Sequence, residues 1–293
     1  MEELKKDLTK WKVATNNELE NGIKSDVNFQ KALQNLDFSD EEKVHFKNDL
    51  LAYYESFKTC EKCKGLKTCK SFSYGMQKII QRIDGYPTLV IDYCPFYKSV
   101  KGMEDSFLIY DFPQEWFETK NPETDHLKKL LREILSFFKG DKYFFYLQAS
   151  NLEEVEHPVA FLVGKINLKG TKRAAFINTP NRVNELRNAT FERNNHSSSM
   201  LKTLQDVDTL ILTSFGEEYK TDYTRDSIIV PLIKNRMKEG KKTIFISTMP
   251  LNQIHTLYQT SSRGSFLMAK NLEETIKNNA EEYVQTSSPE SYL

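Results

Sequence analysis

All four cysteines of the chain lie within 35 residues, and their spacing is the clearest chemical signal in the sequence. They are Cys60, Cys63, Cys69 and Cys94, a C-x2-C-x5-C pattern followed 25 residues later by the fourth cysteine. A C-x-x-C pair lets two thiolates reach one ion from a tight turn, and Gly65 suits such a turn. Four thiolates complete the tetrahedron that is typical of structural zinc. The sequence therefore predicts a structural zinc ion bound by these four residues.

Two alternatives stay open for the cysteines. They could be thiols that hold no metal, or another side chain could complete the site in place of Cys69. A disulfide framework is not expected, because four cysteines are few for a chain of 293 residues. Four protein ligands would leave no open position for a water molecule, so hydrolytic chemistry at the metal is not expected.

The segment around the cysteines is basic, although the whole chain is neutral. Residues 58–101 contain nine Lys and Arg against three Asp and Glu, whereas the full chain has 41 of each kind. The neutral total argues against a protein that coats nucleic acid through general basicity. The aromatic residues nearby are Phe72, Tyr74, Tyr86, Tyr93 and Phe96. Lysines that meet phosphates and rings that stack on bases could bind single-stranded nucleic acid, and an ordinary solvated surface is the alternative.

The elements that must position this segment are helical before it and mixed after it. Leu4, Leu8 and Trp11 form one apolar stripe, and a second helix is predicted at residues 28–36. Ser39, followed by three acidic residues, is typical of a helix N-cap. A short strand is predicted at residues 89–93. We therefore expect a small helical and zinc-binding domain over residues 1–100 and a linker over 101–125.

Beyond residue 126 apolar strands alternate with helices. Strands are predicted at residues 143–147, 174–178, 209–213 and 243–247. Helices are predicted at residues 126–138, 158–166, 181–191, 199–205, 224–238 and 251–258. Apolar strands separated by helices are typical of a parallel sheet covered on both faces. The predicted fold class is α/β, with an αβα domain over residues 126–280 and a disordered tail over 281–293.

The chain shows no membrane span or secretory signal, so a cytoplasmic location is expected. The order of its elements resembles the DnaI-type bacterial helicase loaders over about residues 28–276. The resemblance rests on Thr59–Cys63, on Cys69 and Asp92–Pro95, and on Thr224–Met237, which looks like the family's helix beginning with Arg-Asp and ending with Arg-Met. It implies an AAA+-type P-loop domain, replication initiation as the function and the replicative helicase as the partner. A homo-oligomer is compatible with it.

The nucleotide motifs of that family are altered here. In place of G-x-x-x-x-G-K-[ST], the segment 148–157 has no glycine, no lysine and three glutamates, which would repel a triphosphate. Thr213 and Ser214 stand where the family's two acidic residues are expected, and Met249 stands in place of an asparagine. Arg225 and Arg236 match family arginines, one of which could contact a neighbour's nucleotide. The favoured interpretation is that both are solvent-exposed helix arginines.

These observations predict a helicase-loader homologue that binds the helicase, and single-stranded DNA as a further ligand, without hydrolysing ATP. No catalytic or nucleotide-binding residue is assigned, and zinc is the only expected cofactor. One alternative is an ATPase that uses Gly164 and Lys165 in an atypical phosphate loop. The other is a zinc-dependent nucleic-acid-binding protein that has no helicase partner.

Overall fold

The computed structural model describes residues 21–36, 38–118, 127–168, 170, 172–191 and 196–286. The chain forms two compact units. Unit 1 comprises Met1–Ser99 and Glu118–Lys120, and unit 2 comprises Val100–Phe117 and Asn121–Leu293. The division after Ser99 lies next to the expected domain boundary at residue 100. The predicted stripe of Leu4, Leu8 and Trp11 lies outside the described residues.

In the part of unit 1 that the structure describes, helices pack against a β-hairpin. These elements include α1 (Val27–Gln34), α2 (Asp40–His45), α3 (Lys47–Glu61), β1 (Met76–Ile83) and β2 (Tyr86–Tyr93). The predicted N-cap at Ser39 is confirmed, since Ser39 and Glu42 form a reciprocal capping box. Phe29, Tyr54 and Ile80 belong to the small core between the helices and the hairpin. Strand β1 was not predicted, because its polar residues interrupt the apolar pattern that indicates a strand; its pairing with β2 defines it.

Unit 2 is built on a six-stranded parallel sheet, as the apolar strands predicted. Its order is β3-β5-β6-β7-β4-β8, and every neighbouring pair is parallel. The strands are β3 (Phe107–Tyr110), β4 (Phe144–Ala149), β5 (Ala174–Asn178), β6 (Thr209–Thr213), β7 (Lys242–Ser247) and β8 (Ala280–Gln285). This architecture agrees with the predicted α/β class, a parallel sheet with helices packed against it.

Two expected boundaries are wrong. The segment 101–125 is not simply a linker, because β3 lies within it and pairs with β5. The expected tail at 281–293 begins with residues of β8, which pairs with β4 along its whole length. Both are edge strands. Strand β8 has a polar sequence, AEEYVQ, whereas β3 is apolar but has only four residues, so neither shows the longer apolar run that predicts a buried inner strand.

Helix α4 (Pro95–Asp105) begins in unit 1 and ends in unit 2. The helices of unit 2 are α5 (Lys128–Lys139), α6 (Leu152–Asn167), α7 (Thr179–Phe191), α8 (His196–Asp206), α9 (Val230–Lys238), α10 (Ile254–Tyr258) and α11 (Ser265–Asn279). A π-helical segment, Thr224–Ile229, leads into α9. Helix α6 begins six residues before its predicted start and contains Pro158 in its interior. Neither α4 nor α11 was predicted.

Candidate functional site

The first candidate site is the carboxyl edge of the sheet, where a P-loop would follow β4. Strand β4 ends at Ala149 and α6 begins at Leu152, so only Ser150 and Asn151 connect them. A phosphate loop needs a longer glycine-containing segment whose N–H groups turn inward around the phosphates. Residues 144–168 are fully described and contain no such loop.

Carboxylates occupy the beginning of α6. Glu153 and Glu154 lie in its first turn, where their negative charge interacts favourably with the helix dipole and repels a phosphate. Glu156 accepts a hydrogen bond from the hydroxyl of Thr213 at the end of β6. Burial raises the pKa of Glu156 above its ordinary value. The three glutamates noted in the sequence are therefore spread over the first turns of α6, and one of them is tied to the sheet.

Hydroxyl groups connect the ends of the neighbouring strands. Thr179 donates to the Thr213 carbonyl oxygen at 2.7 Å, and Ser247 donates to the carbonyl oxygen of Phe215 at 2.7 Å. Tyr146 on β4 donates to the carbonyl oxygen of Met249 at 2.8 Å. Thr213, which stands at a position of the family's acidic pair, therefore serves as a structural hydrogen-bonding residue.

Gly164 and Lys165 lie inside the last turns of α6 and not in a loop after a strand. A Cβ at Gly164 would lie 3.2 Å from Met103 Cβ, so the glycine allows α6 to pack closely there. The Nζ of Lys165 lies 4.4 Å from the centre of the Phe161 ring. Because helical N–H groups already bond to carbonyl oxygens of the helix, this pair is not arranged to wrap a phosphate.

Glu218 is a buried carboxylic acid that the sequence did not single out. It is buried, and its Oε1 accepts a hydrogen bond from the Tyr258 hydroxyl at 2.8 Å. Its Oε2 has no hydrogen-bond partner among the described residues. Burial raises the pKa of Glu218 to about 7 and raises that of Tyr258 as well. A sequence signal was lacking, because 40 residues separate the two partners.

The prediction that Arg225 and Arg236 are solvent-exposed is wrong. Arg225 is buried and forms ion pairs with Asp222 and Asp226. Arg236 is fully buried; its guanidinium donates to the Thr243 hydroxyl and to backbone carbonyl oxygens. Burial lowers the pKa of Arg236 to about 9, which still leaves it charged near neutral pH. Helical periodicity alone could not reveal partners so distant in sequence.

The cysteines are distributed as follows. Cys60, Cys63 and Cys69 line one cavity of about 340 Å³ in unit 1, and all four thiols are half-buried. Cys94 precedes α4, and its Sγ accepts a hydrogen bond from the Tyr97 backbone N–H at 3.2 Å. Within the described part of the chain, no three His, Cys, Asp or Glu side chains are arranged to hold a metal ion. The donor types suit zinc, but the placement of the thiols is not that of a metal centre.

Comparison with protein-family models and with curated protein sequences finds no match. Solved structures are similar in fold. The structure of DnaI aligns with a TM-score of 0.52 and 18% identity, covering 62% of this chain and 98% of that one. A protein described as a primosome component of Streptococcus pyogenes serotype M3 gives 0.48 and 15%, covering 63% and 94%. The DnaC helicase loader gives 0.43 and 19%, covering 56% and 92%.

The DnaI comparison has a TM-score above 0.5, and the argument from fold rests on it. Over the 62% of this chain that aligns, the fold is that of DnaI, as the resemblance in sequence predicted. Among the described residues, no helix combines the length and apolar character needed to cross a membrane.

Proposed function

We propose that this chain is a replication-initiation protein of the primosome that binds the replicative helicase without hydrolysing ATP. The observation that carries the proposal is the two-residue connection between β4 and α6, followed by Glu153 and Glu154, within a sheet of the DnaI fold. The fold supports a place among helicase loaders, and the altered edge removes the phosphate-binding loop on which an ATP cycle depends.

In this proposal unit 2 is a scaffold and unit 1 grips the helicase. Unit 1 offers exposed apolar side chains on its helices, including Val27 and Val44. Without an ATP switch, the chain has no evident means of timing release, so binding should not respond to nucleotide.

The test is a titration of the full-length chain against the helicase hexamer with and without Mg-ATP. A control measures the effect of Mg-ATP on the helicase in the absence of this chain. We expect binding whose affinity is the same in both arms. If the chain does not bind the helicase, the proposed function is wrong. If ATP acting on this chain changes the affinity tenfold (about 1.4 kcal/mol), unit 2 is an active switch.

Nucleotide binding has its own measurement. Equilibrium dialysis with labelled ATP should detect no binding, and the purified chain should show no ATP turnover above background. Lys165→Ala is the informative variant, because Lys165 is the lysine of the alternative phosphate loop. Turnover that is lost in Lys165→Ala would establish the ATPase with an atypical loop.

We also propose that Cys60, Cys63, Cys69 and Cys94 bind one structural zinc ion. The spacing of the cysteines and the cavity shared by three of them support this proposal. Metal analysis of the purified chain should return about one zinc per chain, and Cys63→Ser should abolish it. Retention of zinc in Cys69→Ser would show that another group completes the site. Absence of zinc from the native chain would refute the proposed zinc site.

A further inference from the structure

Two adjoining cavities of unit 1 form a surface that is both basic and aromatic. The first, of about 340 Å³, is lined by Lys62, Lys64 and Lys70 together with the three cysteines named above. The second, of about 160 Å³, shares Thr59 and Ser71 with the first. Because two residues line both cavities, a ligand that extends across Ser71 can contact both of them.

Phe72 supplies a flat apolar platform beside this surface. Phe72 is 55% exposed, and it lines the second cavity together with Lys78. The Lys78 Nζ lies 5.6 Å from the centre of the Phe72 ring. An exposed aromatic residue next to an ammonium group is the combination that stacks on a base and neutralises the neighbouring phosphate.

Few carboxylates lie near this surface, so its net charge is positive. Glu55 is the one acidic residue among the described residues that line the two cavities. Glu61 is already paired, because it accepts hydrogen bonds from Lys58 at 2.7 Å and from Asn28 at 2.9 Å. The lysines of the first cavity are exposed, so their charge faces solvent.

We propose that this surface is a binding site for single-stranded DNA, with the backbone phosphates at Lys62, Lys64 and Lys70 and a base stacked on Phe72. A single strand is favoured over a duplex because stacking on Phe72 requires a base whose face is uncovered. The choice of DNA over RNA rests on the proposed function in replication. The rest of the inference is independent of helicase binding.

The experiment measures fluorescence anisotropy of a labelled oligo-dT of about 15 nucleotides titrated with the full-length chain, over a series of salt concentrations. Phe72→Ala should weaken binding about tenfold. The triple variant Lys62→Ala, Lys64→Ala, Lys70→Ala should weaken it further and reduce the slope of log K against log salt by about 2. Glu55→Gln should strengthen binding, because it removes the one carboxylate.

Matched controls come from residues outside the two cavities. Phe266→Ala removes a phenylalanine of unit 2 that is 53% exposed, and Lys31→Ala removes an exposed lysine of unit 1; neither residue lines the two cavities. Both controls should bind as the native chain does. Thermal unfolding of each variant verifies that its fold is retained.

Three results would overturn the inference: equal affinity for a duplex of the same length, no effect of Phe72→Ala, or equal losses in the controls. Preference for an oligo-U RNA would overturn the choice of DNA. The same variants tested against the helicase separate the two proposals. A chain that binds the helicase but no single strand refutes this site alone, and a chain that binds the single strand but no helicase refutes the proposed function alone.

Discussion

The surroundings of Arg236 give it a structural role that its position in a helix does not suggest. It lies on α9 and donates to the carbonyl oxygens of Leu204, Val207 and Lys242 and to the Thr243 hydroxyl. The guanidinium thereby fastens α9 to the end of α8 and to β7. A resemblance in sequence located this arginine, but it could not tell a buried anchor from an exposed contact.

Arg236→Met should therefore destabilise the chain strongly. Methionine fills similar space but leaves buried carbonyl oxygens without donors, so we expect a loss of at least about 3 kcal/mol in the free energy of unfolding. Urea denaturation of unit 2 measures it. The matched control is Lys234→Met, an exposed residue on the same helix, which should cost less than about 0.5 kcal/mol. Equal effects of the two substitutions would contradict the structural role.

Glu218 provides a second prediction at this scale, on pH. Its pKa is about 7 in the folded chain against an ordinary value of 4.5. Between these values the folded state binds more protons than the unfolded state, so the free energy of unfolding falls as pH rises from about 4.5 to 7. The full stabilising contribution is present below the unfolded pKa. A shift of this size corresponds to about 3 kcal/mol.

Glu218→Gln should remove this pH dependence. The stability of the native chain relative to the variant should fall by about 3 kcal/mol between pH 4.5 and pH 8. Chemical denaturation across that range measures the difference, which cancels the titration of all other groups. Glu239→Gln is the control, since Glu239 is an exposed glutamate that does not contribute to the pKa of Glu218. A relative stability that stays constant with pH would show that Glu218 titrates normally.

At the scale of elements, the sequence predicts the inner strands well and the outer elements poorly. Strands β5 and β6 have the predicted bounds, because a strand buried on both faces is a continuous apolar run. Strand β8 contains Glu281 and Glu282 and lies at the sheet edge, so its pairing depends on β4 and not on its own pattern. The start of α6 was missed because Pro158 suggested a first turn and lies in the interior instead.

The sequence likewise predicts some features of the candidate site and not others. The absence of a glycine and a lysine in the segment after β4 is visible in the sequence, and it predicted the altered edge. The bond between Thr213 and Glu156 could not, since 57 residues separate them and only the packing of α6 on the sheet brings them together. The cysteine spacing likewise predicts a metal without giving the placement of the thiols.

Gly216, just after β6, allows a prediction about this edge. Its φ is 94°, and a Cβ there would overlap Leu257 Cδ1. Gly240, after α9, has a φ of 66° with open space around it. Gly240→Ala should cost about 1 kcal/mol from backbone strain alone. Gly216→Ala should cost more, by about 0.5–1.5 kcal/mol, because the side chain of Leu257 must leave its rotamer. Urea denaturation compares them, and equal costs would show that Leu257 moves away freely.

At the scale of the whole molecule, the two units differ in the interactions that stabilise each of them. Unit 2 has the large core of a six-stranded sheet covered by helices. Unit 1 has a small core, of which Phe29, Leu33 and Ile80 are members. A smaller domain buries a smaller share of its surface, so a bound metal contributes a larger part of its stability. The proposed zinc ion would therefore stabilise unit 1 far more than unit 2.

This difference predicts two separable unfolding transitions. The chain has two tryptophans, and Trp116 belongs to unit 2, where its ring stacks on those of Phe112 and His157. In a Trp11→Phe background, Trp116 fluorescence reports on unit 2 alone, while calorimetry detects both units.

A chelator should lower the midpoint temperature of the unfolding of unit 1 by more than about 10 °C, because a loss of only about 3 kcal/mol in the free energy of unfolding shifts a domain of this size that far. The Trp116 transition should not move. Cys63→Ser should reproduce the effect without a chelator. If neither midpoint moves, no zinc stabilises the chain; if both move together, the two units unfold as one.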